Sequence, residues 1–156
     1  MNVRSLTQGQ QRAVAALVTS GALLSVPPDL AKAARFLEQA SEALGEVVDL
    51  RVPSVIYDIA YNAAHDVGEA MLAAYGYRTA SGAGQHVALG QFLEAVFDGP
   101  PAQDAARRYD QIRSARNALR YRAQPVGRAT ADLAVSVARG LLAGAEAQRR
   151  PRLGDG

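Results

Sequence analysis

The segment Asp110-Gln-Ile-Arg-Ser-Ala-Arg-Asn-Ala-Leu-Arg-Tyr121 sets an Arg-Asn pair, Arg116-Asn117, inside an arginine-rich amphipathic stretch. At about 100° per residue, Tyr109, Ile112, Arg116, Leu119 and Ala123 fall in one helical stripe. Arg116 therefore sits on the face that should be apolar. A buried guanidinium is costly unless an anion or acceptor meets it. Arg116 either snorkels past its neighbours to water, or points into a cleft or across a subunit interface toward a partner anion. Arg113, Arg116 and Arg120 follow at i, i+3 and i+7, a short ridge suited to phosphate through paired hydrogen bonds. Arg107, Arg108, Arg122 and Arg128 add to the basic set. The plainer alternative is a solvated charged face moderated by Asp104 and Asp110.

Other candidates are weaker. Ser81-Gly-Ala-Gly-Gln-His86 places glycines at a helix start, a natural anion position. It follows no predicted strand and lacks the Lys-Ser/Thr ending of a P-loop, so a plain connection is the simpler reading, with His86 able to face a ligand. His65 falls opposite the apolar stripe of its helix and reads as a surface residue. Asp58, Asp66 and Glu69 lie on the non-core sides of that helix, too scattered for a metal set. Without cysteine, thiolate chemistry and Cys-ligated zinc are excluded, and two histidines make a His-rich metal site a poor expectation. No cofactor is expected.

The elements that must hold these residues are helices. The 156 residues are 49% hydrophobic but only 6% aromatic, with alanine and leucine leading, which favours close-packed helices over a sheet. Thr7 caps a predicted helix over Gln8–Thr19. A second opens at Pro28-Asp29 with Leu30, Ala33, Leu37, Ala40 and Leu44 as its stripe. A third runs from Pro53 to Tyr75, where Ile56, Ala60, Ala63, Val67, Met71 and Ala74 share a face. Gly76–Gly84 reads as a loop, and further helices follow over about Gln85–Phe97, to about Ala123, and over Arg128–Gln148. The expectation is an all-α bundle of five to six helices forming one structural domain. Its parts are an N-terminal extension over 1–52, a main bundle over 53–148 and a disordered tail over 149–156. Net charge is only +2, and sixteen of the seventeen basic residues are arginine, which a G+C-rich coding sequence would explain. No apolar run approaches the ~20 residues of a membrane span and the start lacks a signal-peptide core, so a cytoplasmic location is expected and no membrane partner.

The order of elements resembles the HEPN domain family. Tyr57-Asp-Ile-Ala-Tyr-Asn-Ala-Ala-His65 and Met71-Leu-Ala-Ala-Tyr-Gly-Tyr77 are similar to its long central helix. The glycine loop with His86 follows, then the arginine-rich helix with its Arg-Asn pair, and the likeness covers roughly Pro53 to Gln148. The resemblance implies a homodimer. It implies, too, that an RNA-directed site, often that of a metal-independent ribonuclease in toxin–antitoxin or defence systems, lies at the dimer cleft. By that likeness Arg116, Asn117 and Tyr121 are the expected catalytic positions. Arg113, Arg120, Arg122 and His86 are the expected nucleic-acid contacts. Five positions after Arg116, where the family commonly carries histidine, stands Tyr121. A tyrosine hydroxyl titrates near about 10 and is a poor base at neutral pH, so His86 is the candidate replacement, and whether the chain is an enzyme stays open. The alternative is an inactive HEPN scaffold or regulator whose partner is a nucleotidyltransferase-type or antitoxin protein.

Overall fold

The computed structural model describes residues 1–150. Within them six helices form an all-α bundle: α1 (Gln8–Thr19), α2 (Leu30–Val47), α3 (Pro53–Tyr75), α4 (Gln85–Val96), α5 (Ala102–Arg122) and α6 (Arg128–Gln148). Local chemistry sets their ends. Thr7 and Gln10 close a capping box at α1, and the Asp29 side chain accepts from the Lys32 N–H at the start of α2. Pro53 occupies the first turn of α3, and Gly76 ends that helix at φ 81°, a left-handed conformation that favours glycine.

The central element is α3, which packs against α2, α4, α5 and α6. Its alanines and Gly68 let these neighbours approach closely, and almost every residue from Ala60 to Ala74 is buried or half-buried. The α5–α6 crossing is tighter still. A Cβ added at Gly144 would overlap that of Ala102. The first 52 residues contribute Val14, Leu23, Leu37, Ala40 and Leu44 to the same core. Two glutamines tie the layers together, as Gln10 of α1 and Gln148 of α6 both donate to the Val96 carbonyl at the end of α4, at 2.9 and 2.8 Å. That carbonyl belongs to a helix end, where the backbone lacks helical partners.

Two short ladders depart from the helical expectation. Residues Leu23–Ser25 (β2) pair antiparallel with Tyr77–Thr79 (β3), inside the stretch read from its glycines as a loop. Residues Asn2–Val3 (β1) pair with Arg149–Arg150 (β4), so the beginning of the predicted disordered tail is an ordered strand. The rest of that tail, 151–156, lies outside the described residues. Among the described residues no helix is long and apolar enough to cross a membrane.

Candidate functional site

The site is assembled where the polar side of α3 meets the start of α4 and the middle of α5. Along α3, Tyr57, Tyr61, His65 and Glu69 recur every four residues and so climb one side of the helix. Because α3 is enclosed by neighbours, this second side also faces protein. Tyr57 and Tyr61 stack with ring centres 6.4 Å apart, and Tyr61 stacks on Tyr109 of α5 at 6.1 Å. The buried Tyr57 hydroxyl donates to the Ile112 carbonyl of α5. Burial pushes the titration of both Tyr57 and Tyr109 up, leaving them neutral hydrogen-bonding groups.

Arg116 closes the group from above. Its guanidinium carbon lies 4.8 Å from the centre of the Tyr61 ring, within cation–π range. The predicted stripe begins with fully buried Tyr109 and Ile112, and at Arg116 it emerges to half-burial. Arg116 thus rests on an aromatic face at the edge of the core. Among the described residues no carboxylate stands within ion-pair distance of it.

The Tyr61 hydroxyl links this cation to imidazoles. It lies 3.1 Å from His86 Nδ1 and 3.5 Å from the Tyr109 hydroxyl. The rings of His86 and His65 are 5.4 Å apart, and His65 Nε2 is 3.7 Å from Glu69 Oε1. His65 is therefore no outward surface residue. It is half-buried and turned toward α4, because the helix opposite its apolar stripe is covered by a neighbour. Desolvation holds His65 below the ordinary imidazole range, with the Arg116 charge adding to it. His86 is lowered by desolvation, then by His65, Arg116 and Arg113, against an opposing effect of Glu69. The Glu69 carboxyl is pushed up by burial, eased by Lys32 of α2 and by His86.

No family model, curated protein or solved structure matches this chain. Among the described residues no group of three or more His, Cys, Asp or Glu is arranged to hold a metal ion. What the cluster offers is one uncompensated guanidinium, two imidazoles biased to the neutral form, and a tyrosine hydroxyl joining them.

Of the expected site residues, the structure brings Arg116 and His86 together around Tyr61. Arg113 is only partly free, since Asp110 holds it through Nε at 2.8 Å and through a second guanidinium nitrogen at 2.7 Å. Asn117, Arg120, Tyr121 and Arg122 are exposed on the last turns of α5. Asn117, Tyr121 and Arg122 line an outer groove with Arg113, Ser114 and Ala118. Tyr121, 85% exposed, lies about 140° around the helix from Arg116. Sequence reasoning missed Tyr61, His65, Glu69 and Tyr109. The available signal was the four-residue recurrence of polar and aromatic types along α3.

Proposed function

We propose that the chain is an RNA-binding protein of the HEPN kind, whose phosphate site is the Arg116 guanidinium, and that it cleaves the bound strand without a metal ion. The observation that carries this reading is a half-buried arginine resting on Tyr61, with neutral-leaning imidazoles beside it and no carboxylate among the described residues to neutralise it. A partly desolvated cation left in that state favours an incoming anion, and the planar fork of arginine matches phosphate oxygens. Exposed Arg120 and Arg122 extend the positive surface along α5. The exposed Tyr121 ring offers a stacking face for an unpaired base, a mode single-stranded RNA uses commonly. The succession of long central helix, glycine loop with His86 and arginine-rich helix supports the HEPN likeness. No residue of α5 beyond Ile112 is buried, which supports a homodimer pairing through that half of the helix.

The test is titration of a labelled single-stranded RNA at rising salt. Three or four phosphate contacts predict a log–log slope of roughly −2 to −3 at about 0.7 per contact. Absence of binding at low salt, or binding indifferent to salt, overturns the reading. One observation favours a second reading, an inactive scaffold: Val48, Val52 and Val55, exposed at 68%, 55% and 44%, gather at the α2–α3 junction. That apolar surface suits a protein partner, of the antitoxin or nucleotidyltransferase type.

A further inference from the structure

Catalysis of strand cleavage needs more than a phosphate site. A ribose 2′-hydroxyl must lose a proton as it attacks phosphorus, and the departing oxygen must gain one. Tyr121 suits neither task, being an exposed phenol on another face of α5. The imidazoles next to Arg116 suit both. Resting on the RNA reading above, we infer that His65 and His86 are the base and acid of this site, with Arg116 holding the phosphate beside them.

The roles follow from what each ring touches. His65 presents Nε2 to Glu69, 3.7 Å away, so its Nδ1 is the nitrogen left for substrate. As that ring gains a proton, its charge stands within ion-pair distance of the adjacent carboxyl group. His86 presents Nδ1 to the Tyr61 hydroxyl at 3.1 Å. When the ring is protonated, Nδ1–H donates to that oxygen and Nε2–H remains for the leaving group. The rings touch each other, with centres 5.4 Å apart, so both imidazoles can meet the same phosphodiester from one side.

The step balances on the chain and the RNA. His65 takes the 2′-hydroxyl proton, O2′ bonds to the adjacent phosphorus, the P–O5′ bond breaks, and O5′ takes its proton from His86. The products carry a 2′,3′-cyclic phosphate and a free 5′-hydroxyl, and proton exchange with water restores the imidazoles. The charged and titratable groups facing the pair are Tyr61 and Glu69 of α3, Tyr109, Arg113 and Arg116 of α5, with Lys32 of α2 beyond Glu69. With both rings held below the ordinary imidazole range, the singly protonated pair is most populated on the acid side of neutrality. Cleavage is expected to peak below about pH 6.5.

The experiment follows cleavage and binding of a 5′-labelled single-stranded RNA in EDTA across pH, for wild type, His65→Gln and His86→Gln. Each variant is expected to lose about 100-fold or more in cleavage measured at saturating protein, where a change in affinity does not enter. His65→Gln removes the acid limb of the profile and His86→Gln the alkaline limb. Wild-type products are expected to end in cyclic phosphate, a readout that does not depend on any variant folding. Cleavage persisting in either variant with an unchanged profile, or products bearing a 5′-phosphate, overturns the inference. Binding without cleavage by wild type overturns it together with the cleavage part of the reading above, and leaves RNA binding at Arg116 standing. Failure to bind overturns both.

Discussion

The Arg116 guanidinium lies over the Tyr61 ring at 4.8 Å, and the hydroxyl of that same ring reaches His86. One side chain therefore serves as platform for the cation and as hydrogen-bond partner for the imidazole. The two services can be separated by substitution.

Tyr61→Phe keeps the platform and removes the hydroxyl. It is expected to leave RNA affinity within about twofold and to cost about 1 kcal/mol of stability for the lost hydrogen bonds. Tyr61→Leu removes the ring as well, worth about 0.5–1 kcal/mol to the cation at a partly exposed site, and RNA affinity should fall two- to fivefold. Denaturant unfolding and RNA titration of both variants check this. Equal affinities for the Phe and Leu variants would show that the ring does not position Arg116.

Asp66 supplies a pH test. Burial, and then the neighbouring Glu69, raise its carboxyl from 3.8 to about 6. A raised carboxyl favours the protonated folded state, so the stability it contributes is fully present below pH 3.8 and is lost as pH rises through about 6. At neutral pH its ionised form is thus a cost. Asp66→Asn should stabilise the protein at pH 7 by about 1 kcal/mol, a value discounted because the side chain is only half-buried. The matching rise in Tm is about 2–4 °C, shrinking to nothing near pH 4. An equal gain at both pH values would contradict this origin.

Helix geometry makes opposite predictions for two glycines. Gly45 on α2 has open space around its missing side chain, so Gly45→Ala should gain about 0.5–1 kcal/mol from helix propensity. Gly144 faces Ala102 and Phe97 across the α5–α6 crossing. There the same propensity gain is outweighed by overpacking, and Gly144→Ala should lose about 1–3 kcal/mol net. Urea unfolding of the pair checks this, and stabilisation by both would show that the crossing relaxes freely.

Much of the fold was legible because helix signals are local. Thr7, Pro53 and Gly76 are read within a turn of the ends they define, and the predicted bounds of α1, α3 and α6 coincide with those observed. The strands were not legible. Leu23–Ser25 has too few residues to show alternation, and its partner lies more than fifty positions away. The site was legible only in part, for a related reason. A helical stripe locates one core-facing side, and α3 has its apolar side there. Nothing local tells that a helix is central and covered on its other sides too. That covering turns His65 and Tyr61 inward, toward residues of α4 and α5. Arg116 stood out because a charge on an apolar stripe is anomalous within its own helix, whereas what lies beneath it is a tertiary fact.

The most direct test compares Arg116→Ala with wild type for single-stranded RNA affinity at low and moderate salt. The proposed site predicts at least a tenfold loss in the variant at low salt, about 1.4 kcal/mol. It also predicts a log–log salt slope shallower by about 0.7, one phosphate contact. Equal affinity and equal slope in the two proteins would contradict a phosphate site at Arg116.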